Sequence, residues 1–266
     1  MTAEKTEKQE AAASPRSREF YLHDDGIPLH ARLDLPDGRE RCPLAIVLHG
    51  FTGHMEERHI TAVAEAMREL GIATLRVELY GHGQSGGAFA DHNLYKWLNN
   101  VMAVVDYAKG LDFVTELYLC GHSQGGLTTI LAAGMMPGTF RAILPLSPAL
   151  AILSGAREGN LLGVSFDPAD IPDEIAIADR TLRGHYIRAA QTLHAEEAMR
   201  RYRGPVLLVH GDADAAVPLR DSVAAAEAYE NAKLAVIAGD THCYEYHLDE
   251  VVAAVKDFLA GLVREA

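Results

Sequence analysis

Short apolar runs alternate with amphipathic stretches along most of the chain. The run Leu44–Leu48 is continuously apolar, which is typical of a strand covered on both faces of a sheet. Residues Arg58–Leu70 carry apolar side chains at helical spacing, and Gly71 closes that stretch. The alternation predicts strands at Glu19–His23, Pro28–Leu35, Leu44–Leu48, Ile72–Val77, Val114–Cys120, Ala142–Leu146, Val206–Val209 and Leu234–Ile237, and helices at Arg58–Leu70, Leu94–Ala108, Gln124–Ala133, Leu219–Tyr229 and Leu248–Leu262. Since strands that alternate with helices form βαβ units, we expect an α/β fold with a mostly parallel central sheet flanked by helices.

Two regions interrupt this alternation. Residues 1–18 mix charged residues with alanine, and we predict a disordered tail there. Between Leu146 and Arg203, about 55 residues without a clean strand separate two predicted strands, which is too long for an ordinary connection. We therefore predict that residues 147–202 form an inserted cap, or lid, over the site at one end of the sheet. Residues 19–146 and 203–266 would form the core.

Composition excludes several classes of protein. The 266 residues are 48% hydrophobic and 23% charged, as in an ordinary globular protein. The net charge of −13 argues against nucleic acid as a partner, and no apolar run approaches the roughly 18 residues that a membrane span requires. Cys42, Cys120 and Cys243 are too few and too scattered for a disulfide scaffold or a cysteine-based zinc site. Because residues 1–18 lack the apolar stretch of a signal peptide, we expect a cytoplasmic protein. The sequence leaves the oligomeric state open, with a homodimer as one alternative.

The pattern G-x-S-x-G occurs twice, around Ser123 and around Ser85. A nucleophilic serine in this pattern stands on a strained turn between a strand and a helix, which exposes its oxygen at the edge of a sheet. Ser123 fits, because an apolar strand leads directly into it and a helical stretch follows. Ser85 lies well beyond its strand and is followed by a loop, so we interpret it as a structural serine. Ser123 is the candidate nucleophile.

A serine needs a histidine to take its proton and a carboxylate to orient that histidine. In this arrangement both partners follow the serine in the chain, each on a loop after a later strand. The loop after the seventh predicted strand contains Asp212 and Asp214. Composition does not separate these two, and either could instead cap the turn. His242 follows the last predicted strand and is the candidate base, whereas His247 falls at the start of the final helix.

The negative charge that develops on an attacked carbonyl oxygen requires two backbone N–H donors. One follows the nucleophile, here Gln124, and the other comes from the loop after an earlier strand. That loop begins with His49 and Gly50, and we assign the second donor to Phe51. The sequence therefore predicts an oxyanion hole made by Phe51 and Gln124.

Many histidines lie in the first half of the chain. They include His49, His54, His59, His82, His92 and His122. No familiar zinc-binding spacing organises them, so we expect hydrogen-bonding or surface roles and neither a metal nor another cofactor.

Five segments together resemble the α/β-hydrolases, and more narrowly the bacterial cinnamoyl (feruloyl) esterases. They are His49–Gly53, Tyr80–Ser85, Gly121–Gly126, His210–Pro218 and Gly239–Tyr244. The resemblance runs from about residue 19 to the C-terminus, the inserted segment included. It implies that Asp214, rather than Asp212, pairs with the histidine, and that the cap contributes to a pocket for an aromatic acyl group.

The predicted cap departs from this family in its aromatic residues. Its only ones are Phe166, Tyr186 and Tyr202, and the single tryptophan, Trp97, lies outside it. A pocket for a phenolic ring usually offers aromatic walls and a polar group. Tyr186 is the candidate substrate contact, and a packed core tyrosine is the equal alternative.

The resemblance implies a serine carboxylesterase that works through an acyl-enzyme, with hydroxycinnamate esters as the expected substrates. Its partner would be a small-molecule ester. A short-chain acyl esterase or a monoacylglycerol-type lipase could use the same triad, and a serine peptidase is a more distant alternative. A catalytically silent hydrolase fold is the alternative outside enzymes, and the complete set Ser123, Asp214 and His242 argues against it.

Overall fold

An eight-stranded sheet runs through the computed structural model, which describes residues 16–263. The strands in these residues are β1 (Ser17–Asp24), β2 (Ile27–Asp34), β3 (Cys42–Leu48), β4 (Ala73–Val77), β5 (Val114–His122), β6 (Phe140–Leu146), β7 (Asn160–Leu161), β8 (Val164–Ser165), β9 (Glu174–Ile177), β10 (Arg180–Arg183), β11 (Val206–Gly211) and β12 (Ala232–Ile237). The large sheet has the order β1-β2-β4-β3-β5-β6-β11-β12. All neighbours from β4 to β12 pair in parallel, whereas β2 pairs in antiparallel fashion with both β1 and β4. The predicted α/β class and mostly parallel sheet are confirmed.

The sheet begins slightly earlier than predicted. Strand β1 starts at Ser17 and pairs with β2 along its whole length, so Ser17 and Arg18 belong to the sheet rather than to a tail. Arg16 is also described and accepts a hydrogen bond from the N–H of Leu35, while residues 1–15 of the predicted tail lie outside the described residues.

Helices cover both faces of the sheet. They are α1 (Arg58–Glu69), α2 (Leu94–Lys109), α3 (Gln124–Met135), α4 (Ala151–Glu158), α5 (His185–Thr192), α6 (Ala195–Arg201), α7 (Leu219–Ala228) and α8 (Leu248–Val263), with a 3₁₀ turn at Phe89–Asp91. Helices α1 and α8 pack on one face, and α2, α3 and α7 pack on the other. Among these described helices, none combines the length and the apolar character needed to cross a bilayer.

Strand β3 is continuously apolar because helices cover both faces of the sheet. Leu44, Ile46 and Leu48 point into the layer of α2 and α3, while Ala45 and Val47 point toward α1 and α8. Successive residues of a strand face opposite sides, so a strand with helices on both sides needs apolar residues at every position.

The segment between β6 and β11, here called the insert (residues 147–202), has more structure than the sequence predicts. It contains α4, α5 and α6 and two small antiparallel sheets, β7 with β8 and β9 with β10. The sequence shows no clean strand in this segment, and the structure places four short strands there. These strands are two to four residues long, which is at or below the shortest run over which alternation identifies a strand.

Helix α6 of the insert rests directly on α3. A Cβ atom built on Gly134 of α3 would overlap the backbone of Ala198 in α6. Glycine is an unfavourable residue inside a helix, so its presence here reflects the close approach of the two helices.

Gly134→Ala should therefore destabilise the protein by about 1–3 kcal/mol, because α6 must move away from α3. Gly261→Ala is the matched control, since Gly261 lies in α8 with nothing within 4 Å of an added Cβ. That substitution should be neutral or stabilising by up to about 1 kcal/mol. Urea unfolding of both variants measures the difference. Equal stability changes would contradict the close packing of α3 and α6.

Candidate active site

The carboxyl ends of the central parallel strands surround a cavity of about 210 Å³. Ser123 and His242 both line it, together with Gly50 and Phe51 from the loop after β3. The insert contributes Ala149, Ile152 and Leu162 to the wall. The cavity lies where ligands bind in parallel α/β sheets, and it brings together groups from five separate parts of the chain.

Ser123 stands on a strained turn between β5 and α3. Its backbone has φ of +56° and ψ of −119°, a conformation that L-residues rarely adopt. Its N–H donates to the carbonyl of Leu146 at 2.9 Å, which holds the turn against β6. Side chains at Gly121 and Gly125 would overlap backbone atoms of Gly125 and His49, respectively. Gly121 is thus required by the tightness of the turn itself, and Gly125 by the close approach of the turn to the loop after β3.

Ser85 has a different environment. Its hydroxyl donates to the carbonyl of Glu78 at 2.5 Å and accepts from the N–H of His30 at 2.8 Å. The first bond closes the loop after β4 on itself, and the second fastens that loop to β2. This is the structural role expected from the sequence.

Asp214 is held by four groups. Its Oδ2 lies 2.7 Å from Nδ1 of His242, and its Oδ1 accepts from the N–H groups of Ala216 and Val217 at 2.8 Å each. Nε2 of His210 is 3.2 Å from the same Oδ2. Burial alone would raise the pKa of Asp214, but hydrogen bonds from His210, His242 and Val217 outweigh it and hold this pKa well below its ordinary value. Asp214 is therefore a carboxylate at any ordinary pH.

Sequence reasoning did not find the role of His210. Its Nδ1 is 2.7 Å from the hydroxyl of Ser222, and its Nε2 faces both Val217 O and Asp214. Two acceptors on Nε2 place the ring proton there, so Nδ1 accepts from Ser222. The spacing of four residues between His210 and Asp214 was the available signal.

The two alternative candidates, Asp212 and His247, have other partners. Oδ1 of Asp212 accepts from the N–H of Gly239 at 2.6 Å, which ties together the loops after β11 and β12. His247 is 44% exposed and lies 3.7 Å from Glu250 at the start of α8. The structure brings Asp214, rather than Asp212, to His242, in agreement with the resemblance.

The two predicted oxyanion donors flank the serine. Gln124 is the first residue of α3, and the first N–H groups of a helix have no partner within it. Phe51 lies in the cavity wall, and an added Cβ on the preceding Gly50 would be 3.2 Å from Cβ of Ser123. The loop after β3 therefore runs directly beside the serine.

Tyr186 is fully buried behind this loop. Its hydroxyl donates to Oε1 of Gln124 at 2.6 Å, and its ring centre lies 6.0 Å from that of Phe51. This geometry matches the packed tyrosine and does not support a substrate contact. Tyr202 is buried as well and bonds the carbonyl of Phe140 at 3.1 Å. The insert thus offers the cavity aliphatic side chains.

Glu57 is a cavity residue that sequence reasoning missed. Its Oε2 atom is buried and lies 4.0 Å from Nε2 of His59, and neither atom has a hydrogen-bond partner among the described residues. Burial raises the pKa of Glu57, against the opposing effects of a backbone hydrogen bond from His54 and the charges of His54 and His242. An acidic residue before a helix is common, so the sequence held no signal for this position.

Two family models match the chain, one for serine aminopeptidase, S33, over residues 40–163 and one for TAP-like protein over residues 185–263. The solved structure of Est1E from Butyrivibrio proteoclasticus with ferulic acid bound is 55% identical, covers 92% of this chain and 99% of that chain, and has a TM-score of 0.91. Mouse alpha/beta hydrolase domain-containing protein 10 shares the fold, with 19% identity, 92% and 99% coverage and a TM-score of 0.74. The monoacylglycerol lipase of Mycolicibacterium smegmatis is 24% identical over 240 residues, which are 79% of this chain and 83% of that protein.

The match to Est1E extends over nearly the whole of both chains at more than half identity. The chain belongs to the α/β-hydrolase superfamily, among the serine hydrolases that cleave carboxylic esters.

The raised pKa of Glu57 predicts that the free energy of unfolding depends on pH. Because the folded protein disfavours the ionised carboxylate, stability should fall as pH rises from the ordinary pKa of about 4.3 through the raised value. Glu57→Gln should match the wild type near pH 4 and become the more stable of the two toward pH 7. Thermal unfolding across this range measures the difference.

Glu227→Gln, at an exposed position of α7, is the control and should show no such trend. A stability difference at Glu57 that stays constant with pH would contradict this account of the buried carboxyl.

Proposed function

We propose that Ser123, His242 and Asp214 form the catalytic triad of a serine carboxylesterase. The observation that carries the proposal is the 2.7 Å contact between Asp214 and Nδ1 of His242, at a cavity that Ser123 also lines. Asp214 fixes the ring proton on Nδ1, so Nε2 can accept the proton of Ser123.

In the proposed reaction, Ser123 attacks the ester carbonyl while His242 takes its proton. The N–H groups of Phe51 and Gln124 stabilise the oxyanion of the tetrahedral intermediate. His242 then protonates the departing alcohol, which leaves an acyl group on Ser123. Water attacks this acyl-enzyme with His242 again as the base and releases the acid.

We propose hydroxycinnamate esters as the substrates. The support is the likeness to Est1E, whose solved structure holds ferulic acid. The cavity lining includes both an aromatic residue, Phe51, and an acidic residue, Glu57.

A second candidate is an esterase for aliphatic acyl groups, such as a short-chain esterase or a monoacylglycerol-type lipase. It is favoured by the aliphatic side chains of Ala149, Ile152, Leu162 and Val217 in the cavity wall. The likeness to a monoacylglycerol lipase points the same way.

We also propose that the insert acts as the cap of this site. Leu162 supports it, since this residue lines the cavity from the tip of the β7–β8 hairpin and is 45% exposed. The cytoplasmic location and the homodimer stay predictions.

Asp214→Asn should lower kcat by about a thousandfold or more, because an amide cannot orient the neutral imidazole as a carboxylate does. Asp212→Asn is the matched control. Its amide oxygen can still accept from Gly239, so kcat should change by less than about twofold. Equal losses in the two variants would contradict the assignment of Asp214.

The substrate is tested by kcat/KM for methyl ferulate and for p-nitrophenyl butyrate. We expect a clear preference for ferulate, no measurable turnover by Ser123→Ala, and turnover retained by Ser85→Ala. Activity on butyrate alone would favour the aliphatic candidate on the same triad. Hydrolysis that survives in Ser123→Ala would contradict the proposed mechanism.

A further inference from the structure

Three of the sequence's many histidines are buried together behind the loop that carries Phe51. His49, His82 and His92 are each at most 5% exposed. The ring centre of His82 lies 5.1 Å from that of His49 and 4.9 Å from that of His92. The reaction proposed above uses none of these rings. Their hydrogen bonds show what two of them do.

His49 fixes the peptide group that contains the proposed donor. Its Nε2 accepts from the N–H of Leu79 at 3.0 Å, so its proton is on Nδ1, which donates to the carbonyl of Gly50 at 2.8 Å. Burial and the neighbouring His82 lower the pKa of His49 to about 3, which keeps the ring neutral. The carbonyl of Gly50 and the N–H of Phe51 belong to one planar trans peptide and point in opposite directions. Anchoring this carbonyl therefore sets the direction of the Phe51 N–H.

His82 fixes the next peptide group. Its Nε2 makes a short contact with the carbonyl of Phe51, and its Nδ1 lies 3.0 Å from the carbonyl of Tyr80. Both neighbours are acceptors, and burial lowers the pKa of His82 against these two carbonyls. A neutral ring carries one proton, and the shorter contact places it on Nε2, toward Phe51.

The loop after β4 gives His82 a fixed position. Gly81 and Gly83 on either side have φ of +77° and +53°. A side chain at Gly81 would overlap the backbone of Ala88, and one at Gly83 would overlap the carboxyl of Glu78. The ring of His82 is thus held from its own loop and reaches across 31 residues of sequence to Phe51.

The loop that carries Phe51 has little support of its own. Residues 49–53 belong to neither a helix nor a strand, and their internal backbone bond joins Gly53 N–H to Gly50 O at 3.2 Å. The two histidine bonds therefore give each of the peptides on either side of Phe51 an anchor from outside the loop.

We propose that His82, together with His49, is a positioning residue for the oxyanion hole. By holding the carbonyl groups of Phe51 and Gly50, these rings keep the N–H of Phe51 aimed at the oxyanion. The inference rests on the proposed function, because it takes Phe51 as the second donor.

The experiment compares His82→Gln with His82→Asn. A glutamine amide reaches the position of Nε2 and can donate to Phe51, whereas an asparagine amide reaches only the position of Nδ1, near Tyr80. Loss of an oxyanion donor costs about a hundredfold or more in kcat, so loss of its support should cost less. We expect His82→Asn to lower kcat for p-nitrophenyl butyrate by about tenfold with KM within about twofold, and His82→Gln to retain most of kcat.

A boronic acid inhibitor gives a second readout, because its adduct with the serine places an oxygen in the oxyanion position. Its inhibition constant should rise in His82→Asn in parallel with the fall in kcat, and should stay near the wild-type value in His82→Gln.

His92→Asn and His92→Gln are the matched controls. His92 is equally buried and its ring centre lies 5.4 Å from that of Phe51, but its Nδ1 hydrogen-bonds to the carbonyl of Phe89 at 2.6 Å rather than to the backbone on either side of Phe51. These variants should lose stability with kcat near the wild-type value. The inference is overturned if the two His82 variants have the same kcat, or if the His92 variants lose as much. Failure of the wild-type protein to hydrolyse any ester would instead overturn the proposed function, and this inference with it.

Discussion

The close approach of the turn at Ser123 to the loop after β3 is the constraint on which the site depends. A Cβ added to Gly125 would overlap the backbone of His49, and one added to Gly50 would be 3.2 Å from Cβ of Ser123, so side chains at these points would crowd the facing segment. Ser123 has φ of +56° at this point, with the start of α3 next to it in the chain and the loop that carries Phe51 packed beside it. Nucleophile and donors are thus positioned by the same backbone contact, which the parallel pairing of β3 with β5 maintains.

The buried ionisable groups around the site differ in charge. Asp214 is fully buried and receives hydrogen bonds from two histidines and two backbone N–H groups, which keeps it ionised inside the protein. His242 connects that charge to the cavity. Behind the loop of Phe51, burial keeps the rings of His49 and His82 neutral, and they donate to the carbonyl groups of Gly50 and Phe51. Histidine therefore has two roles here: His242 is the proposed proton carrier, whereas His49 and His82 anchor backbone carbonyl groups.

Most of the fold could be predicted from the sequence, because a strand covered on both faces leaves an unmistakable apolar run, as in β3. Ser123 and His242 could be placed from their positions after strands. The choice of Asp214 over Asp212 came only through the family resemblance, since the residues themselves are alike. Glu57, His82 and the orientation of Tyr186 depend on contacts between distant segments, and periodicity carries no information about such contacts. The strands of the insert are too short for the alternation of polar and apolar residues to identify them.

The central claim is that Ser123 is the nucleophile, and labelling with a fluorophosphonate probe tests it most directly. The probe reacts with a serine only when a neighbouring base activates it. The account predicts one phosphonyl group per chain, located by peptide mass spectrometry on Ser123 and lost in His242→Ala. Labelling at another serine, or labelling of Ser123 that persists without His242, would contradict the account.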